Sequence, residues 1–260
     1  MRVDRIPSRI YKWRRMRLNT LARVFESGPF ALALVLILFA NSGCQKDAAE
    51  PVAVVAERIS PAEVEALRAK GNAGDTSAQA RLGRYYVEGM EGRPDYKEAA
   101  KWCLLAAEHG DAGAQVAMGD LIEAGQGVAQ DHAAALKWYR AAADQGSAKG
   151  QYALAVMHQF GRGVAVNQPE AAKWYLAAGN QGDAWAQFSL GQRYELGVGV
   201  ARDYAEAYKW FNLAAAQSLA GAREALDRLA AKMESAQISD GNHRASIFAP
   251  QKAAGKPAAR

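Results

Sequence analysis

Apolar and small side chains recur along this chain of 260 residues in blocks of 36, with Trp102, Trp138, Trp174 and Trp210 marking the period. Each block opens with a glutamine (Gln79, Gln115, Gln151, Gln187) and then a small residue (Gly83, Gly119, Ala155, Gly191). A glycine follows at Gly89, Gly125, Gly161 and Gly197, with a second turn glycine at Gly127, Gly163 and Gly199. A new stripe then begins, in which Ala99, Trp102 and Ala106 stand at i, i+3 and i+7 with Lys101 on a wetter flank, and Gly110, Gly146 and Gly182 close the copies. The pattern predicts a helix, a glycine turn, a second helix and a glycine stop, with the four tryptophans in the core. The small residue at Gly83 and its counterparts leaves no side chain between backbones, so two helices are expected to pack closely there.

Asp95, Asp131, Asn167 and Asp203 suit the N-cap of the second helix, because a side-chain oxygen can accept a first-turn amide. These helices therefore start near residues 96, 132, 168 and 204, and Glu98, Glu170 and Glu206 are expected to complete capping boxes. Ser60-Pro61-Ala62-Glu63 begins an unpaired helix that stops near Gly71. At the far end Ala222 and Leu226 start a fifth first-helix, whose Arg223, Glu224, Asp227, Arg228 and Lys232 give it the charged outer face of a cap. One hairpin cannot bury its own apolar face, so the copies must stack into one solenoid domain over 60–238. Residues 44–59 lack helical period and read as a tether, and 239–260 are expected to be disordered.

The run Gly-Gln-Gly-Val…Asp…Ala-Leu-Lys-Trp-Tyr-Arg-Ala-Ala-Ala-Asp-Gln-Gly over 125–146, recurring four times between residues 74 and 238, resembles the Sel-one-like repeat (SLR) family, relatives of tetratricopeptide repeats. The resemblance implies an all-α, right-handed α/α superhelical solenoid of four 36-residue helix-turn-helix repeats with capping helices at both ends. It also implies a binding scaffold of protein complexes, signalling, envelope or secretion biology. Copy one departs from the pattern in its turn, Gly89-Met90-Glu91-Gly92-Arg93-Pro94, which lacks the Gly-x-Gly-Val spacing. A cysteine-rich secreted branch of the family carries a disulfide in each repeat and is linked to β-lactam binding or hydrolysis; its paired cysteines are absent here.

Residues 1–43 read as a signal peptide: a basic leader, then an apolar run from Phe30 to Ala40. The run is too short to span a bilayer, which takes about 20 residues. Asn41-Ser42-Gly43-Cys44 resembles a lipobox, although Asn41 stands where an aliphatic residue is usual. It makes Cys44 the expected lipidation site, with ordinary cleavage or a retained anchor as the alternatives. Gln45 then favours an outer membrane, with the protein in the bacterial envelope facing the periplasm. Met16 would make a more usual start. The leader holds eight Lys or Arg and two Asp or Glu, so the remainder keeps 24 basic and 25 acidic residues, a net of −1. The excess of base belongs to the leader and gives no reason to expect a nucleic-acid partner.

Little in the chain suggests catalysis. His109, His132, His158 and His243 have no zinc-site spacing, and the Gly-x-Gly turns follow helices rather than strands, so neither metal nor cofactor is expected. Cys103 takes the place of Tyr139, Tyr175 and Phe211 in the other copies and reads as a buried thiol. Function is expected where the copies differ. If the first helices line the inner face, Arg81, Arg84 and Tyr85 correspond to Ala117, Asp120 and Leu121, then to Ala153, Val156 and Met157, then to Ser189, Gln192 and Arg193. Such a face suits a protein or peptide with an acidic group near Arg81 and Arg84 and an apolar one near Met157. A peptidoglycan or carbohydrate module and, behind it, a β-lactam or cell-wall hydrolase are the rivals.

Overall fold

The computed structural model describes residues 59–89 and 93–251, all helical or connecting. The expected signal peptide, the expected lipidation site Cys44 and the expected tether up to residue 58 lie outside the described residues. Helix α1 (Pro61–Asn72) precedes four hairpins: α2 (Thr76–Glu88) with α3 (Tyr96–Glu108), α4 (Ala112–Ala124) with α5 (His132–Asp144), α6 (Ala148–Phe160) with α7 (Gln168–Asn180), and α8 (Ala184–Leu196) with α9 (Tyr204–Ala216). Helices α10 (Ala222–Ala230) and α11 (Ser235–Ser246) end the stack. Each helix from α1 to α9 packs on the one after it, α11 returns to pack on α9, and first helices of neighbouring copies also touch, α2 with α4 and α4 with α6. The first helices therefore line the shorter, inner side of the solenoid.

The caps form where the sequence places them. Asp95, Asp131, Asn167 and Asp203 each accept first-turn amides. The capping boxes expected at Glu98, Glu170 and Glu206 do not form. The backbone amides of the four cap residues are already donated to carbonyls of the preceding helix, those of Tyr86, Ile122, His158 and Tyr194. The glutamates turn forward instead: Glu98 and Glu170 accept from the indole N–H of Trp102 (3.1 Å) and Trp174 (2.8 Å). Gly125, Gly161 and Gly197 adopt left-handed conformations at the ends of the first helices, whereas Gly89 takes φ 78°, ψ 148°, so the first turn differs in geometry as its sequence does.

Close helix approach occurs at the small positions. A Cβ on Gly119 would lie 2.5 Å from the Tyr139 ring, and one on Gly191 would lie 2.5 Å from the Phe211 ring. The tryptophans split into two kinds. Trp102 and Trp210 are buried, but Trp138 and Trp174 are only half-buried. Thirty-one residues before each indole stands Gly71, Ala107, Ala143 or Gly179 in turn. A Cβ on Gly71 would reach within 2.9 Å of Trp102 Cζ3, and one on Gly179 within 3.4 Å of Trp210 Cζ3. Glycine lets the ring sink at the two ends of the stack, and alanine holds it out in the middle.

The repeated glutamines join the copies. Gln79, Gln115 and Gln187 donate to the carbonyls of Gly71, Ala107 and Gly179 near the end of the preceding second helix. In three copies the glutamine also accepts from a partner 30 residues on: Gln145 to Gln115 (2.8 Å), Gln181 to Gln151 (2.7 Å) and Gln217 to Gln187 (2.8 Å). At the first copy that partner position is His109, whose Nδ1 bonds to the Leu105 carbonyl, and the buried Gln79 Oε1 has no partner among the described residues. His109→Gln is expected to supply the missing donor and raise stability by about 1 kcal/mol. Chemical denaturation measures it; an unchanged midpoint would mean that water already serves Gln79.

The segment from Ser239 departs from the expected disorder. Up to Ser246 it belongs to α11, which packs on α9. Arg244 bridges Asp203 (3.0 Å), Glu206 (3.0 Å) and Asp240 (2.6 Å). Gly241 is buried so close to α9 that a Cβ would lie 2.8 Å from the Tyr208 ring, and Phe248 meets the Trp210 ring edge-on at 5.6 Å. The amide of Gln251 then donates to the Asn180 carbonyl of α7. The tail is held because a glycine allows close approach and one arginine ties three carboxylates, devices that an apolar-stripe search does not register. Residues 252–260 lie outside the described residues.

Candidate functional site

Along each first helix, the exposed positions, with half-buried ones at Ala117, Ala153, Val156 and Ser189, recur at i, i+4, i+7 and i+11, one face of an α-helix. In α2 this face carries Ser77, Arg81, Arg84 and Glu88; in α4, Gly113, Ala117, Asp120 and Ala124; in α6, Lys149, Ala153, Val156 and Phe160; in α8, Trp185, Ser189, Gln192 and Leu196. The inner side thus runs from basic, through small, to apolar. Arg81 and Arg84 are both exposed and make no ion pair with any described carboxylate.

Several candidate residues sit elsewhere than the sequence suggested. Tyr85 is half-buried, edge-on to Tyr86 with ring centroids 5.1 Å apart. Asp120 is at the surface, yet the Tyr139 hydroxyl lies 2.7 Å from its Oδ1, tying it into the fold. Partial burial of the Asp120 carboxyl raises it above its ordinary range; the Tyr139 bond opposes the shift, Glu123 adds to it and Lys149 lowers it again. Met157 is completely buried, and so cannot be the apolar anchor of a partner. Gln192 is exposed. Arg193 is 95% shielded, with only 5% of its surface exposed.

The position after the exposed one, 85, 121, 157 and 193, turns toward the second helix rather than outward. Leu121 and Met157 fill it as core residues, and Arg193 occupies the same place in copy four. Its Nη1 donates to Gln168 Oε1 (3.1 Å) and to the Val198 carbonyl (3.2 Å), and its guanidinium stacks on the Tyr175 ring at 4.9 Å. Burial pulls this guanidinium below its usual range, the sign of a cation without full compensation.

Phe160, Leu196 and Trp185, the exposed apolar anchors that the sequence reading missed, are 58%, 69% and 54% exposed. Trp185 had a signal: it is the one tryptophan after Trp102 that falls out of the 36-residue register. Phe160, Leu196 and Val198 border a shallow groove of about 280 Å³, whose lining includes Gln159, Gln168, Ser189, Gln192 and Arg193. Such a volume suits a pair of side chains rather than a cofactor. Cys103 is buried, and burial pushes its thiol up to about 11, which leaves it unreactive. Among the described residues no group of three His, Cys, Asp or Glu could hold a metal, and no helix is long and apolar enough to cross a membrane.

The Sel1 repeat model matches residues 76–111, 112–147, 148–183 and 186–219. A protective antigen of uropathogenic Escherichia coli, c5321, displaying an SLR fold, superimposes with a TM-score of 0.68 at 29% identity, over 72% of this chain and 40% of that one. This chain thus spans less than half of that relative. A Sel1 repeat protein from Oxalobacter formigenes superimposes with a TM-score of 0.61 at 30% identity, over 71% of this chain and 78% of that one. No curated protein matches the sequence at a significant level.

Proposed function

The chain belongs to the Sel1 repeat family, and on that premise we propose that it is a membrane-tethered, protein-binding scaffold of the bacterial cell envelope without catalysis of its own. One observation carries the reading: most buried positions of the four copies repeat, whereas the exposed inner stripe changes from Arg81 and Arg84 to Phe160, Trp185 and Leu196. A stack needs only the first set. The second set supports recognition of one extended protein segment, acidic toward copy one and apolar toward copies three and four. The lipobox-like run ending at Cys44 supports a lipid tether facing the periplasm, with an outer membrane favoured by Gln45.

In-cell crosslinking of the full-length protein tests this. The double variant Arg81→Glu/Arg84→Glu is expected to weaken capture of the native partner about tenfold, as loss and reversal of charge pairing implies. Cys44→Ala is expected to release the protein from the membrane fraction. Unchanged capture would remove the basic end of the inner face from the site, and unchanged fractionation would remove the lipid. A wall-binding module is the second reading, favoured by the exposed Trp185 indole, which could stack on a sugar. Sedimentation with purified cell wall, lost in Trp185→Ala, would move the assignment there.

A further inference from the structure

Arg193 is a charged group where the repeat calls for an apolar one. Leu121 and Met157 hold the equivalent position at 2% and 0% exposure, so the fold closes without a charge there. Burying a guanidinium is costly unless a counterion accompanies it. The described residues offer Arg193 only neutral partners: Gln168, the Val198 carbonyl and the Tyr175 ring. None of their carboxylates forms an ion pair with it, and it lines the groove between the exposed Phe160 and Leu196.

We propose that this groove is a subsite for a peptide carboxylate flanked by an apolar side chain, with an aspartate or glutamate of the partner on Arg193 and a large apolar residue between Phe160 and Leu196. The proposal rests on the scaffold reading above and gives it a ligand chemistry. Arg193 and Leu196 stand three apart on α8, about 5–6 Å between Cβ atoms. In an extended peptide, side chains on one face recur every second residue, about 7 Å apart. The matching motif is therefore an acidic residue and an apolar residue separated by one, in either order. The groove's size, about 280 Å³, accommodates that pair and little more.

A random heptapeptide library panned on the full-length protein, beside Arg193→Met and Leu196→Asp, tests the motif. Arg193→Met installs the residue type of Met157 and is expected to leave the melting temperature unchanged or raise it, so loss of binding there is not loss of fold. The wild type should enrich the acidic-x-apolar pair. A selected peptide should bind about tenfold more weakly or worse to either variant, and to the wild type when its acidic residue is replaced by the amide. No enrichment, enrichment of apolar residues without an acid, or a motif that survives Leu196→Asp would overturn the proposal. So would dodecanoate binding at the groove without peptide binding, which would make it a lipid-carboxylate site. If crosslinked capture depends on Arg81 and Arg84 while panning yields no motif, this inference falls and the scaffold stands; if neither responds, both fall.

Discussion

Gly163→Ala is expected to destabilise the protein by about 4 kcal/mol, whereas Gly161→Ala, two residues earlier in the same turn, should cost only about 1–2 kcal/mol. Both glycines have left-handed backbones, φ +67° and +69°, so the conformational strain of alanine is shared. Their surroundings differ. A Cβ on Gly161 would meet Val166 Cγ2 at 2.8 Å, and Val166 is an exposed side chain free to rotate. A Cβ on Gly163 would strike the carbonyl of His132, 2.6 Å from its carbon and 2.8 Å from the Ala133 nitrogen, in the first turn of α5. Backbone cannot move aside without parting the two copies. Gly127 and Gly199 make the same approach to Tyr96 and Gln168, so in copies two to four the second turn glycine clamps the turn to the hairpin before it. Thermal unfolding should show roughly a 10 °C loss for Gly163→Ala and a few degrees for Gly161→Ala. Equal losses would show that the clamp contributes nothing beyond strain.

That clamp illustrates what the sequence makes legible. A strict period exposes every device that each copy uses: the turn glycines, the caps at Asp95 and its counterparts, the close approach at Gly119 against Tyr139. The helix starts at residues 96, 132, 168 and 204 follow from it. Devices used once are harder to see. The α11 tail relies on Gly241, Arg244 and Phe248, three residues without a repeat to compare them with. The same holds for the inner face, where periodicity leaves the rotation of each helix uncertain by about one residue. That error placed Met157 and Arg193 in water and passed over Phe160 and Leu196, which lie on the same face as Val156 and Gln192. An arginine and a methionine at one repeat position look alike as surface candidates until burial separates them.

Trp210→Ala carries the second large effect, about 4 kcal/mol, while Trp174→Ala should cost roughly half as much. Trp210 is fully buried over Gly179 and under Phe248, but Trp174 is half in water. Because a solenoid couples only neighbours, the damage should stay local: hydrogen exchange is expected to show α9, α10 and α11 losing protection together while α2 to α5 keep theirs. Uniform loss along the stack would contradict it. The indole N–H adds a finer distinction. Trp102 and Trp174 donate to Glu98 and Glu170, but the equivalent Glu206 is held by Lys209 (2.7 Å) and Arg244 (3.0 Å), and Trp210 Nε1 is buried without an acceptor among the described residues. Trp210→Phe removes a polar group that the fold leaves unpaired, whereas Trp102→Phe breaks a bond to Glu98, whose carboxylate keeps only Lys101, 3.7 Å away. The phenylalanine variant at 210 should therefore be the milder of the two, by about 1 kcal/mol. The tail contributes to the difference, since Arg244, which fastens α11 to α9, joins Lys209 in holding Glu206 away from the indole.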